Sequence, residues 1–239
     1  MNLIEAISAS RKGLEAQSKQ LWPAIAALLT LGVVMVVGTF ALAHATGHRI
    51  SDLTRDPADL THSEVYLGLL SNIGVLVWTA AAAVCLFTAV TMRRLGDRQA
   101  GRFFLASGLV TLLVTLDDFF MFHERLLPDV LGVPQYLYPA AYGLMMLAYL
   151  GSFADSILRN DYLLLVLAFG LLGTSMGIDS VVHFSDKKAF VEDGLKFMGI
   201  LFWAASFFRF AHVALVNRAG RTSSSVVDPQ SVKTCARPH

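Results

Sequence analysis

Between Thr115 and Glu124 the chain reads Thr-Leu-Asp-Asp-Phe-Phe-Met-Phe-His-Glu, so three carboxylates and an imidazole close a long apolar run. Ionisable groups in an apolar span are rare, pair with one another or line a cavity, and mark function by default. A second such pair, Asp179 and His183, lies four residues apart in another apolar run and shares one helix face. An i, i+4 pair of this kind offers two ligands to one metal ion, as the two histidines of an HExxH helix do.

Asp117, His123, Asp179 and His183 are therefore the candidate metal ligands. A mixed His and carboxylate set suits zinc, iron or manganese, and a divalent metal so held turns a bound water into a nucleophile near neutral pH. That chemistry would make the protein a metal-dependent membrane hydrolase. Glu124 and Glu192 are the candidate general bases or further ligands, and Lys196 is the candidate neutralising cation for a deep carboxylate such as Asp117 or Asp179. Asp118, Asn72, Asp193, His62 and Glu64 are supporting residues of the same cluster.

Two other functions use the same residues differently. In a non-enzymatic membrane subunit or sensor, the polar cluster would fix helix packing, as interhelical hydrogen bonds do in bilayers. In a proton- or cation-coupled transporter, Asp117, Asp118, Asp179 and Lys196 would be the coupling groups. No internal repeat of the kind that builds transporters is visible, and the cytoplasmic half of the spans lacks charges to continue a path.

The elements that must position these groups are membrane helices. The 239 residues are 55% hydrophobic and 15% charged, with a mean hydropathy of +0.57, whereas soluble domains carry about 25% charged residues. Six apolar runs follow one another, at about 22–45, 64–91, 103–124, 136–154, 162–184 and 190–215. Each approaches the ~20 residues that cross a bilayer. The expectation is an all-α polytopic integral membrane bundle of six transmembrane helices. Residues 1–21 form an N-terminal segment with interfacial amphipathic character, 22–216 the membrane domain, and 217–239 a polar, disordered tail. Thr61 or Ser63 is expected to cap the second helix, and Tyr136, Tyr138 and Tyr142 suit an interfacial aromatic belt.

Six spans place both termini on one side, and 13 of the 19 Lys and Arg residues fall on it. The positive-inside rule then makes both termini cytoplasmic, in what is expected to be a bacterial inner membrane. Twelve of the 18 acids and five of the seven histidines fall on the opposite side. Acids barely influence orientation, so this asymmetry is independent of the rule and gathers the candidate site on the outer half.

Depth and phase narrow it. At 1.5 Å per residue, Asp117 lies about 10 Å below Glu124, level with Asp179, Lys196 and Asn72. Asp117 and Asp118 point about 100° apart, so one is expected to face the centre and the other a neighbouring helix. Asp117 is the residue expected at the centre, with Lys196 and Asp179 as its companions.

The lipid bilayer is the expected partner. Net charge is +1 and no basic patch with interleaved aromatics occurs, which argues against nucleic acid. Gly170, Gly173 and Gly177 offer close contact within the bundle or between protomers of a homo-oligomer. Cys85 and Cys235 fall in a span and in the tail, and form no CxxC motif.

Overall fold

The computed structural model describes residues 36–54, 60–64, 66–122, 127–132, 137–181 and 186–226, together with isolated helical residues between 19 and 34. The described chain is all-helical and divides into two units, 1–67 and 68–239.

In the first unit an apolar helix, Gly32–Thr46, ends at Gly47, whose φ of 71° suits only a residue without a Cβ. A short helix, Ile50–Thr54, follows. Its Asp52 carboxylate reaches back to the Arg49 N–H at 3.1 Å, the return half of a capping box. Thr61 and Ser63 hydrogen-bond each other at 2.7 Å.

The second unit holds five long helices: α1 (Leu69–Arg94), α2 (Arg98–Phe120), α3 (Leu137–Leu158), α4 (Leu163–Val181) and α5 (Asp186–Val226). A short helix, Leu127–Leu131, lies between α2 and α3. Helix α1 starts after Gly68, in a left-handed conformation with no side-chain cap, rather than at Thr61 or Ser63. That shortens the expected second span at its start.

Three residues turn α1 into α2. Gly96, at φ 84°, donates to the Arg93 carbonyl at 3.1 Å and Asp97 to that of Met92 at 2.9 Å, the paired bonds of a Schellman stop. The Asp97 carboxylate then accepts the Ala100 N–H at 2.9 Å and caps α2. So short a link forces α1 and α2 to run antiparallel and side by side.

Helix α5 is the hub. Its Trp203 packs edge-on against Trp78 of α1, centroids 5.5 Å apart, and against Phe169 of α4 at 5.4 Å. Phe207 and Phe210 meet Phe103 of α2 at 6.3 and 6.2 Å. Gly199 lets Leu172 of α4 close in, since a Cβ there would sit 2.7 Å from Leu172 Cγ. By contrast Gly170, Gly173 and Gly177 face open space. Within the unit the close helix contact is made at Gly199, and these three make none there. Helix α3 carries a kink at Phe153, φ −124° and ψ 16°, where its ring packs on Phe103 at 5.8 Å.

Among the described residues, four helices are long and apolar enough to cross a membrane: Leu69–Arg94, Arg98–Phe120, Ala140–Leu158 and Phe190–Gly220. Only 39%, 39%, 11% and 44% of their apolar windows is buried within the chain, so most of that apolar surface is left uncovered by it. These four helices suggest an integral membrane protein. Gly32–Thr46 and Leu163–Ile178, at the places of the first and fifth expected spans, are shorter apolar helices.

Candidate functional site

The polar residues of α2 form one stripe. Ser107, Thr111 and Thr115 are buried and spaced four apart, and Asp118, seven beyond Thr111, extends the line toward the end of the helix, with Asp117 beside it about 100° round. Each hydroxyl donates to the carbonyl four residues back: Ser107 to Phe103 at 2.8 Å, Thr111 to Ser107 at 2.7 Å, and Thr115 to Thr111 at 2.7 Å. The backbone thus consumes the hydroxyl protons and leaves the oxygens facing outward as acceptors.

Donors from two neighbouring helices meet the stripe. Tyr149 of α3 lies 2.7 Å from the Ser107 oxygen, and with the Ser107 proton already placed the tyrosine is the donor. Trp203 of α5 donates its indole N–H to Thr111 at 3.0 Å. Tyr142 of α3 hydrogen-bonds the Asp117 carboxylate, and Lys196 of α5 forms an ion pair with Asp118. The four contacts are the rungs of a ladder that ties α3 and α5 to α2.

The spacing explains the register. Tyr142 and Tyr149 are seven residues apart, as are Lys196 and Trp203, and as are Thr111 and Asp118 on α2. Seven residues are close to two helical turns, about 10 Å, so each pair stacks on a single stripe. The numbers fall along α3 and α5 as they rise along α2, which is the order antiparallel neighbours require.

The doublet divides as its phase demands, and its two carboxylates meet donors from different helices. Asp117 is 6% exposed and is held by Tyr142. Lys196, expected as the companion of a deep carboxylate, pairs with Asp118. A lysine stem on α5 meets the residue of the doublet that faces α5, while Asp117, about 100° round the helix, faces α3. Tyr142, expected in an interfacial belt, is half-buried and belongs to this ladder.

Asn72 is exposed in the first turn of α1, because that helix starts at Leu69 and leaves it less than one turn deep. The backbone carbonyl of Glu192 accepts the Ser175 hydroxyl of α4 at 3.0 Å, which joins α4 to α5 beside Lys196. Asp193 is exposed. His62 and Glu64 belong to the first unit, both exposed, with His62 in a left-handed turn at φ 52° and the Glu64 carbonyl accepting the Leu67 N–H. His123, Glu124 and His183 lie outside the described residues, and Asp179 is described only as backbone of α4. Among the described residues, no three His, Cys, Asp or Glu side chains come together in a metal-holding group.

A family model described as Domain of unknown function (DUF8692) matches residues 24–210, a range that contains every rung of the ladder. No curated protein and no solved structure matches the chain.

Proposed function

The chain belongs to the DUF8692 family, and we propose that it is a non-enzymatic membrane subunit or sensor whose polar ladder fixes helix packing. One observation carries this reading. Both carboxylates of the doublet engage donors of the protein itself, Asp117 a tyrosine of α3 and Asp118 a lysine of α5. A pair of charges so placed neutralises each other in the bilayer and links helices, which is what intramembrane ionisable residues do when they are structural.

In this proposal the chain crosses the membrane six times. The shorter helices, Gly32–Thr46 and Leu163–Val181, complete the count, with local bilayer thinning and flanking residues covering a deficit of up to about 8 Å. Both termini are then cytoplasmic, and the ladder rises toward the outer leaflet of a bacterial inner membrane.

Metal analysis of the purified full chain tests the reading. We expect no stoichiometric zinc, iron or manganese, and a lower melting temperature for Asp118→Asn. Stoichiometric metal that is lost in Asp117→Asn or His183→Ala would overturn it in favour of the metal-dependent hydrolase. Proton or cation flux into proteoliposomes that Asp118→Asn abolishes would overturn it in favour of transport.

A further inference from the structure

At the end of the bundle where α1 closes and α2 opens, Arg93, Arg98 and Arg102 line one open cleft of about 520 Å³. All three side chains are exposed. Among the described residues none of them has a carboxylate partner, whereas Lys196 pairs with Asp118 and Arg209 with Asp161. The nearest acid in sequence, Asp97, is occupied as the cap of α2. Three guanidinium groups, each with several donors and no counter-ion, face a single space.

The cleft is built rather than accidental. The Schellman turn fixes α1 and α2 at a short connection, so Arg93 and Arg98, with four residues between them, flank it and line the same cleft. Gly101 leaves room for the Arg93 stem, because a Cβ there would lie 2.5 Å from Arg93 Cγ. The stem thus passes against α2 at Gly101, the residue before Arg102, and both arginines line the cleft.

The surroundings select the ligand. Below Arg94 on the same stripe of α1 lie Val90 and Phe87, 53% and 68% exposed. Below Arg102 on the same stripe of α2 lie Leu109 and Leu113, 52% and 45% exposed. Arg102 ends one of these exposed apolar stripes, and Arg93 is the chain neighbour of Arg94 at the end of the other, so the cleft sits at headgroup depth with acyl-compatible surface running away from it. We propose that Arg93, Arg98 and Arg102 bind the phosphodiester headgroup of an anionic phospholipid. Guanidinium groups match phosphate oxygens bidentately. Net positive charge in the cleft disfavours a zwitterionic headgroup, whose ammonium would be repelled.

The site goes beyond the ladder and does not depend on it. The test uses the purified full chain in dodecyl maltoside, titrated with dihexanoyl phosphatidylglycerol, dihexanoyl phosphatidylcholine or inorganic phosphate, and read by native mass spectrometry and thermal shift. Phosphatidylglycerol should be retained at least tenfold more tightly than the other two. R98Q and R102Q should each weaken it about fivefold, and R93Q/R98Q/R102Q about a hundredfold. R209Q, which removes an arginine outside the cleft, should change it less than twofold. Equal retention of phosphatidylcholine would overturn the proposal, as would inorganic phosphate binding as tightly as phosphatidylglycerol. So would R98Q and R102Q retaining the lipid as the wild type does. The single variants keep the test decisive should the triple variant not fold.

Discussion

Removing Lys196 should cost more than removing its partner, and the two losses should not add. Lys196→Met strands the Asp118 carboxylate, whose side chain is 12% exposed. Losing one member of a buried pair costs about 3–5 kcal/mol. The lysine is 38% exposed, so partial screening brings the figure down to about 2 kcal/mol. Asp118→Asn leaves an amide oxygen that still accepts from Nζ and a lysine whose long stem can reach the headgroups, so about 1 kcal/mol is lost. The double variant strands no charge and should also lie about 1 kcal/mol below wild type, a coupling of about 2 kcal/mol. Reversible unfolding by sodium dodecyl sulfate in mixed micelles measures all four proteins. A coupling under about 0.5 kcal/mol lies within ordinary additivity scatter and would refute the ion pair as a rung. So would Asp118→Asn proving the more damaging single change.

Asp117→Asn keeps an acceptor for Tyr142 and should cost under about 1 kcal/mol, whereas Asp117→Leu removes it and should cost about 1–2 kcal/mol, read in the same unfolding assay. Gly199→Ala drives a methyl group into Leu172 and should destabilise by about 2 kcal/mol. Gly173→Ala meets nothing within 4 Å and should be neutral or up to about 1 kcal/mol stabilising; equal effects at the two glycines would refute the assignment of the α4–α5 contact. Thr111→Val should cost about 0.5–1.5 kcal/mol and change the fluorescence of Trp203, whose indole N–H loses its acceptor; an unchanged spectrum and stability would remove that rung. Asp161→Ala breaks a pair exposed 67% and 57% on its two sides and should change stability by less than about 0.5 kcal/mol.

Much of the architecture was legible because hydropathy and helical phase are local. The apolar runs at 64–91, 103–124 and 136–154 correspond to α1, α2 and α3 within a few residues. The start of α1 was misplaced because it rests on a left-handed Gly68 rather than on a hydroxyl cap, and a glycine gives no capping signal in advance. The separation of Asp117 from Asp118 followed from the 100° step alone. Which of them meets Lys196 did not, since that depends on which side of α2 the last helix packs.

Tyr142 and Trp203 were missed as site residues for a related reason. A tyrosine near a span end is more often interfacial, and a tryptophan in an apolar run is more often core. Their seven-residue spacing from Tyr149 and from Lys196 was nevertheless present in the sequence. Likewise the Ser107, Thr111, Thr115 series was readable as a stripe, but its partners were not. Gly199 could not be told from Gly173 by sequence, because only the packed neighbour distinguishes them.

The ladder also imposes an order on assembly. Chains emerge N-terminus first, so α1 and α2 enter the bilayer as a hairpin while α5 is still unmade. Until α5 arrives, Asp118 has no lysine and Thr111 no indole, and the face of α2 that carries them meets lipid or the insertion machinery. The hairpin is therefore an intermediate with an uncompensated charge near one membrane surface, held in place by its three-residue turn. Completion is an event of translation, delayed by the roughly eighty residues that separate Asp118 from Lys196. A protein built this way would be most exposed to membrane quality control in that interval, before its last helix closes the bundle.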